Sequence, residues 1–518
     1  MTYLDYAATV PMLPEVIEAM RKAETEFFAN ASALHTPGHL AMNQIEHTRE
    51  LLAKLINAEP EEIIFTSGAS ESNNTVIRTF EGHEIETSPL EHHSIIEAAR
   101  ILGGKKKPKL YSYMLTNNEI GEILDVESVV KKTKTDKFAD WPTMFNQKTE
   151  WGKLIVTDQR GAYVHSDLTQ ALGKIPLDVK KLGLDYATFS AHKIGGPIGV
   201  GALYVKKGVP FSPLIIGGNQ ENKRRGGTYN TVGIVGFGAA LEKVIKDKSW
   251  EKYDKEVRVL RDTLAKRILK EIPGSSINTD LTLGKSLPNI LNASFKAAEG
   301  ESIQLYLDAE GIIVSTGSAC AAGDIKPSHV LMAKTGDAEV AHSSIRFSFG
   351  LENTMEDVER VMEVLPGIIK RLQSISTISM WYNQIMQEGQ DWVYSDVVKD
   401  HFLHPRNYLM GDESKFPYDA MGIVGNPICG DQMKMFIQVK DNKIVDLRWK
   451  TYGCASAIAS TSALSEIAKG KTLEDALKIS AKDIDDYLGN LPKHKFHCSI
   501  LGHDALKAAI EEYKSKNK

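Results

Sequence analysis

The first 190 residues alternate helical patterns with short apolar β-rich segments, and this alternation limits the folds that the chain can form. Amphipathic helix patterns cover residues 13–28 and 41–56. The β-rich segments are EIIF (62–65), KLYSYML (109–115), KLIV (153–156), AYVHSD (162–167) and LDYATFS (184–190). Helices that alternate with short strands are typical of βαβ units, so we predict an α/β fold with a mainly parallel sheet and helices on both faces. Ligands of such sheets bind at the carboxyl ends of the strands.

The pattern changes after about residue 230. Long helix patterns at 250–269 and 355–372 surround short strand patterns at 289–295, 312–316 and 344–349, which indicates a smaller α+β domain. A mixed segment at 373–393 precedes a fresh start at Tyr394. We therefore predict a front part (1–372, with a large domain at about 14–230 and a small domain at about 231–372 plus the amino-terminal segment), a connector (373–393) and a small α+β rear module (394–518).

Charge and hydropathy exclude several classes of function. The 518 residues carry a net charge of -5 with acids and bases interspersed, so no basic face indicates nucleic acid or anionic lipid as a partner. No apolar run is long enough for a membrane span. YLDYAAT follows Met1 almost at once and resembles folded sequence, so no targeting segment is expected. A small-molecule substrate and a cytoplasmic location are predicted.

The four cysteines are unevenly placed. Cys320 stands alone in STGSACAAG, whereas Cys429, Cys454 and Cys498 lie in GNPICGD, YGCAS and HCSI near the carboxyl end. Clustered thiols in a long chain favour metal binding or catalysis in a reducing compartment over a disulfide framework. For Cys320, polar and small neighbours favour an accessible nucleophile, and a buried structural cysteine is the alternative.

A lysine and a helix start indicate an anionic, carbonyl-bearing ligand. Lys193 in SAHKIGGPIGVGALYV follows a predicted strand, where desolvation lowers the pKa of an amine and favours a Schiff base. TSGASESNN (66–74) runs from strand to helix and offers backbone N–H groups to a phosphate. A surface lysine and an ordinary capped helix are the alternatives.

Two further polar positions follow predicted strands. Asp167 ends AYVHSD, and Gln170 lies three residues later. A capping box is the plain interpretation, and a carboxylate that keeps a pyridinium nitrogen protonated is the functional one. His92, in TSPLEHHSII, is predicted to open a helix and is either a ring-stacking proton carrier or a polar surface residue.

The order of the motifs resembles a known family. They are YLDYAAT, FTSGASESNN, EHHS, NNEIG (117–121), HSDLTQALGK, SAHKIGGPIGVGAL, RRGGT (224–228), STGSACAAG and RFSFG (346–350). Over about residues 1–372 the chain resembles a cysteine desulfurase of the fold-type I pyridoxal-phosphate enzymes. The segment between His92 and NNEIG is shorter than the family pattern, and the segment after Val130 is longer. Neither difference removes a named catalytic residue.

The resemblance implies roles for individual residues. Lys193 forms the Schiff base, Asp167 contacts the pyridine nitrogen, Gln170 contacts the phenolic oxygen and His92 stacks on the ring. The phosphate cradle is Ala69, Ser70, Ser190, His192 and Thr228. Because the family takes the threonine of RRGGT from the neighbouring subunit, a homodimer is implied. Asn118 contacts cofactor and substrate, and Arg346 holds the substrate carboxylate.

The implied reaction converts L-cysteine to L-alanine. Lys193 removes the α-proton while pyridoxal phosphate absorbs the charge. The thiolate of Cys320 then attacks the substrate sulfur and keeps it as a persulfide, with His92 as the proton acceptor.

Residues 394–518 resemble the iron-sulfur cluster assembly scaffold. The motifs are YSDVVKDHFLHPRN, GNPICGDQM, YGCASAIASTSALSE and HCSILGHDALKAAI. Cys429, Cys454 and Cys498 match the cluster thiols, with Asp431 and His497 as auxiliary ligands. Thiolates suit iron-sulfur clusters and zinc alike, so the residues leave open a [2Fe-2S] cluster or zinc, although Asp431 favours an exchangeable site. LPKHK (491–495) departs from the bacterial chaperone-binding motif.

These resemblances predict a sulfur donor and a cluster scaffold on one chain. Its expected partners are an iron donor, an electron donor and apo iron-sulfur proteins. One rival is a desulfurase or selenocysteine lyase with a zinc-bound structural module. The other is a cluster or zinc carrier whose front half only docks partners.

Overall fold

The computed structural model describes residues 1–133, 160–316, 328–375, 395–409, 416–426, 431–452, 455–489 and 497–516. Its contacts divide the chain into two compact units. One holds most of residues 1–366, and the other holds most of residues 367–518 together with segment 297–311. The predicted boundaries at 372 and 394 stay a prediction. Within the described residues, no helix is both long enough and apolar enough to cross a membrane.

A six-stranded sheet forms the centre of the first unit. After a short strand β1 (Thr2–Tyr3), its strands are β2 (Ile63–Thr66), β3 (His83–Thr87), β4 (Lys106–Ser112), β5 (Ala162–Asp167), β6 (Tyr186–Ser190) and β7 (Gly201–Val205). Their order is β2-β7-β6-β5-β4-β3. Strands β3 to β6 are parallel, and β7 is antiparallel to both neighbours. The predicted mainly parallel sheet is confirmed, and KLIV (153–156) lies outside the described residues.

Helices cover both faces of this sheet, as predicted. Side chains alternate between two apolar clusters along each central strand. Val164 and Phe189 belong to one cluster, and Tyr163 and Tyr186 belong to the other. The helices in this part of the chain are α1 (Pro14–Glu26), α2 (Thr36–Ile56), α3 (Ala69–Thr79), α4 (His93–Leu102), α5 (Val126–Thr133), α6 (Val179–Leu182), α7 (Gln220–Lys223), α8 (Thr231–Asp247), α9 (Ser249–Lys252) and α10 (Arg258–Glu271).

The next part of the chain has short strands between helices. Strands β8 (Ser275–Ile277), β9 (Ile290–Phe295) and β11 (Ser344–Ser348) form an antiparallel sheet, and β10 (Ile312–Ile313) pairs with β1. The helices are α11 (Gly300–Ala309), α12 (His329–Thr335), α13 (Ala338–His342) and α14 (Met355–Ile375). The helix predicted at 250–269 is confirmed: α9, a π-helical turn (Tyr253–Val257) and α10 follow one another without a break from Ser249 to Glu271. The strand predicted at 312–316 is only two residues long.

The rear module is a three-stranded meander with helices. Its elements are α15 (Asp396–Leu403), β12 (Ala420–Asn426), β13 (Asp431–Lys440), β14 (Lys443–Tyr452), α16 (Ala455–Ala468), α17 (Leu473–Ala476), α18 (Ala481–Tyr487) and α19 (His497–Lys516). Asp441 and Asn442 form the β13–β14 turn, and both have positive φ (51° and 60°), which matches a type I′ hairpin. Trp449 is fully buried, and its indole N–H donates to the carbonyl of Arg406 at 2.7 Å.

A buried ion pair joins α2 to α7. The Arg49 guanidinium donates to both carboxylate oxygens of Glu221 at 2.7 and 2.8 Å, and their side chains are 7% and 1% exposed. In Arg49→Met, Glu221 would keep a buried charge without its partner, so we expect the free energy of unfolding to fall by about 3–5 kcal/mol. Denaturant titration followed by circular dichroism measures the change.

A matched control is Lys180→Met. Lys180 pairs with Glu59 at 2.6 Å on the surface, where both side chains are about half exposed or more (47% and 64%). Because exposed pairs contribute little, this variant should unfold at the denaturant concentration of the wild type. Equal unfolding midpoints for the two variants would contradict the importance of the buried pair.

Candidate active site

Lys193 lies where β6 ends, in the short 3-10 helix Ala191–Ile194, as the sequence predicts. Gly195 ends this turn at a φ of +80°, and a Cβ there would lie 2.6 Å from Leu13 Cγ. The Lys193 ammonium donates to the carbonyls of Ala7 and Ala8, both at 2.7 Å. The amino-terminal segment therefore holds this amine at the carboxyl edge of the sheet.

The neighbours of Lys193 are also polar. Ser190 is buried at the end of β6, and the imidazole Nδ1 of His192 lies 3.2 Å from Thr9 Oγ1. Burial, reinforced by the charges of Lys193 and Lys174, lowers the pKa of His192 to about 4. His192 is therefore neutral at pH 7, and its ring nitrogens can donate or accept hydrogen bonds without carrying charge.

Asp167 and Gln170 follow β5 directly. Asp167 Oδ1 accepts from the Thr169 N–H, and Oδ2 accepts from Asn73 Nδ2, both at 2.9 Å. Gln170 Nε2 donates to the Ala7 carbonyl at 2.9 Å, and residues 169–174 form turns, not a helix. The capping-box interpretation is therefore wrong, because a distant backbone carbonyl holds the amide of Gln170. Ala7 thus contacts both Gln170 and Lys193.

His92 is the N-cap of α4, so the prediction that it opens a helix is confirmed. Its Nδ1 accepts from the Ser94 N–H at 3.2 Å and lies 2.9 Å from Ser94 Oγ. Burial lowers the pKa of His92, and the nearby carboxylate of Asp167 opposes part of that shift. The imidazole is half-buried and oriented by the helix start that it caps.

Two residues without a role in the sequence interpretation connect His92 to Asp167. Asn73 Nδ2 donates to Asp167 Oδ2 and to Ser94 Oγ, both at 2.9 Å, and Ser94 Oγ contacts His92. Asn73 is fully buried on α3. It lies in TSGASESNN, but the sequence alone does not show which of the two adjacent asparagines contacts Asp167. The other one, Asn74, donates to the carbonyl of Ser70.

The helix predicted to receive a phosphate begins as expected. Strand β2 ends at Thr66 and α3 begins at Ala69, followed by Ser70, with Gly68 at the N-cap and no side chain there to bond the first N–H groups. Thr228 lines a cavity of about 260 Å³ together with Ser67 and Gly199. A contribution of Thr228 to a neighbouring subunit stays a prediction.

Arg346 lies in the centre of β11, and it is 4% exposed. Its Nη1 donates to the carbonyl of Asn118 at 2.8 Å, and its Nη2 donates to Asp5 Oδ1 at 2.7 Å. The residue is therefore neither on the surface nor without a partner. Asp5 lies in YLDYAAT, a motif in which the sequence interpretation assigned no role to any residue.

Several residues of this site have a buried polar atom with no hydrogen-bond partner among the described residues. These atoms include Asn73 Oδ1, Thr169 Oγ1, Gln170 Oε1 and Arg346 Nε. Native proteins satisfy nearly all buried polar atoms, so such atoms at one sheet edge are consistent with a polar ligand bound there.

Most of the predicted thiols lie outside the described residues. Cys320, Cys429 and Cys454 are not described, and the LPKHK segment is not described either. Asp431 begins β13, and His497 and Cys498 begin α19, but only their backbone positions are described. The metal-ligand set stays a prediction.

Comparison with known proteins identifies both parts of the chain. Residues 2–361 match the family model for class V aminotransferases, and residues 393–518 match the model for the NifU-like N terminal domain. A protein named cysteine desulfurase IscS from Dictyoglomus turgidum is 40% identical over an alignment of 408 positions, and the match covers 72% of this chain and 96% of that protein.

Solved structures resemble the same region. An X-ray structure of a NifS-like protein from Rickettsia africae is 31% identical with a TM-score of 0.61, over 71% of this chain and 99% of that one. A structure of SspA in complex with cysteine is 28% identical with a TM-score of 0.54, over 68% and 100%. The chain therefore belongs to the class V aminotransferase family and, within it, to the cysteine desulfurases, and it carries a NifU-like N-terminal domain in its last 126 residues.

Proposed function

We propose that the front part converts L-cysteine to L-alanine and keeps the sulfur as a persulfide on Cys320. The observation that carries this proposal is the convergence of Lys193, Gln170 and Asp167 on one sheet edge, where Ala7 contacts two of them. The cysteine bound to SspA, and the names of the relatives, favour L-cysteine as the substrate.

The residues present fit pyridoxal phosphate. A carboxylate at Asp167 suits a protonated ring nitrogen, Gln170 and Asn118 supply amides, and His92 supplies a ring to stack. The helix start at Ala69 and Ser70, with Ser190, His192 and Thr228, suits a phosphate. Bound there through Lys193, the cofactor would act as an electron sink for the α-carbon of the substrate.

The side chains of the chain then divide the remaining work. Arg346 holds the substrate carboxylate through charge-assisted hydrogen bonds. The Lys193 amine, positioned by two carbonyls, takes the α-proton and returns a proton to the alanine product. The Cys320 thiolate forms an S–S bond as the substrate C–S bond breaks. The lowered pKa of His92 favours its neutral imidazole, and this is the form that could accept the thiol proton.

The rear module is proposed to receive that sulfur. Its ligands would hold iron and sulfide as an assembling cluster, which we expect to be [2Fe-2S]. They are Cys429, Cys454 and Cys498, with Asp431 and His497. Donor and acceptor thiols on one chain can reach an effective concentration of about millimolar if the connector spans them. We further propose a homodimer, a cytoplasmic location, and iron donor, electron donor and apo iron-sulfur proteins as partners.

One incubation distinguishes this proposal from its rivals. The full chain is incubated anaerobically with ferrous iron, L-cysteine and a thiol reductant, and alanine and visible absorption are followed together. Alanine with cluster absorption supports the proposal. Alanine without a cluster, with zinc found by metal analysis, supports the desulfurase or selenocysteine lyase with a zinc module. A cluster or zinc without alanine supports the carrier, and contradicts the proposal.

Cys454→Ser tests the scaffold part by itself. Removal of one thiolate ligand should weaken cluster retention at least about tenfold while alanine release from L-cysteine stays at the wild-type rate. Gel filtration followed by iron and sulfide analysis measures retention. Ser456→Ala, two residues away, is the matched control and should retain the cluster. Equal retention in the two variants would refute the ligand role.

A further inference from the structure

The ion pair between Asp5 and Arg346 occupies the group that is proposed to bind the substrate carboxylate. Of the guanidinium nitrogens, Nη1 is bonded to Asn118, Nη2 is bonded to Asp5, and Nε is buried with no hydrogen-bond partner among the described residues. The side chains of Arg346 and Asp5 are 5% and 17% exposed. The arginine is therefore already neutralised before any ligand arrives.

The geometry of a guanidinium makes this contact a competing one. A carboxylate can form two parallel bonds along either of two edges, one made by Nε and Nη2 and the other by Nη1 and Nη2. Nη2 belongs to both edges, and Asp5 Oδ1 lies 2.7 Å from it. Because Nη2 carries one N–H on each edge, a ligand carboxylate that forms two bonds with Arg346 would use the second N–H of Nη2 and lie beside the Asp5 carboxylate, where the two negative charges repel each other. The unpartnered Nε marks the first edge as the one still open.

The amino-terminal segment fixes Asp5 at this place. Asp5 forms a backbone bridge with Ser348, two residues after Arg346 on β11. The Ser348 N–H donates to the Leu4 carbonyl at 2.7 Å, and the Ala7 N–H donates to Ser348 Oγ at 2.9 Å. Asp5 is thus held by the backbone on both sides, and the contact does not depend on a flexible side chain alone.

Among the described residues, Glu119 and Tyr3 also interact electrostatically with Arg346. Burial raises the pKa of Glu119 to about 7 although Arg346 opposes the shift, and burial with the charge of Asp5 raises the pKa of Tyr3. Neither makes a described ion pair with Arg346, so Asp5 is the charged competitor at the guanidinium.

We propose that Asp5 is a specificity-determining residue, a built-in counter-ion of Arg346 with which the carboxylate of an amino-acid ligand has to compete. This inference rests on the proposed role of Arg346. Asp5 orients the guanidinium between turnovers and keeps the affinity for amino-acid carboxylates low. The chemical consequence is easy release of the alanine product, whose carboxylate is the same as that of the substrate.

Asp5→Asn tests the competition because it removes the charge and keeps an oxygen that can accept from Nη2. The full chain loaded with pyridoxal phosphate is titrated calorimetrically with L-alanine and with ethylamine, which has the same amine but no carboxylate. We expect the Kd of L-alanine to fall about tenfold, because one of two like charges at the guanidinium is gone. The Kd of ethylamine should stay unchanged.

Three further variants complete the test. Glu352→Gln is the matched control. Glu352 accepts a hydrogen bond at 3.2 Å from Tyr6, which lies in the same amino-terminal segment as Asp5, and this variant should not affect alanine binding. Asp5→Ser supplies a second neutral side chain if Asp5→Asn fails to fold, as shown by thermal unfolding. Arg346→Met should abolish the preference for L-alanine over ethylamine.

The outcomes separate the inference from the proposed function. If Arg346→Met leaves the preference unchanged, the proposed role of Arg346 is wrong and the inference fails with it. If Arg346→Met abolishes the preference but neither neutral variant at position 5 tightens alanine binding, only the inference about Asp5 is overturned.

Discussion

Replacement of Lys193 by alanine is expected to reduce alanine formation from L-cysteine by about 10⁴-fold or more, because it removes both the cofactor attachment and the proton carrier. The amine has a defined position, since two backbone carbonyls accept from it at 2.7 Å. Lys174, the buried amine beside it, is 1% exposed and donates to the Lys193 carbonyl at 3.2 Å, so we expect it to stay in that contact and not to replace Lys193. Alanine is measured at saturating pyridoxal phosphate, and borohydride reduction followed by peptide mass analysis locates the covalent adduct.

Two controls make the Lys193 result specific. Lys180→Met removes an exposed amine of the same chain and should leave rate and adduct unchanged. Lys193→Arg keeps a positive charge but has no amine that forms a Schiff base, so it should be as inactive as Lys193→Ala. Turnover of Lys193→Ala above about one hundredth of the wild-type rate would contradict the assignment.

Cys320→Ser is expected to keep the absorption of the bound cofactor and to lose the persulfide. A hydroxyl stays protonated near neutral pH and is a poor nucleophile, whereas a thiolate attacks sulfur readily. In the wild type, exposure to L-cysteine should add roughly 32 Da, one sulfur atom, to the peptide that contains Cys320. In the variant this peptide should be unmodified and alanine release should fall by at least about 10³-fold.

Cys429→Ser is the matched control for that experiment. It changes one of the rear-module thiols proposed to receive the sulfur. The sulfur adduct on Cys320 should therefore form at the wild-type rate and should persist longer. Full alanine turnover in Cys320→Ser, or an adduct that forms first on Cys429, would show that Cys320 is not the primary sulfur acceptor.

Sequence patterns predicted elements better than they predicted hydrogen bonds. The alternation of helices and strands indicated the sheet, and the buried strand β5 has the predicted bounds 162–167. The spacing of Asp167 and Gln170 suggested a capping box, but Gln170 bonds to a carbonyl 163 residues away. A local i, i+3 pattern has no information about which distant backbone group will lie nearby, so the tertiary contact overrides it.

The same limit explains why two predicted elements differ in detail from the structure. The helix predicted at 250–269 is present, but it contains one π-helical turn at Tyr253–Val257, which its amphipathic pattern did not predict. The strand pattern at 312–316 is mostly apolar, but its ladder stops at Ile313 because its partner β1 has only two residues. Strand length is set by the partner strand, which propensity does not describe.

The sequence by itself determined the fold class, the two family resemblances, and the positions of the lysine, the carboxylate and the arginine, because these depend on periodicity and on residue type. Only the tertiary structure decided the contacts of those groups. Asn73 joins Asp167 across 94 residues, Ala7 joins Lys193 across 186 and Asp5 joins Arg346 across 341. Hydrogen bonds require distances near 3 Å between atoms that the packing of separate elements brings together, and no local pattern encodes that distance.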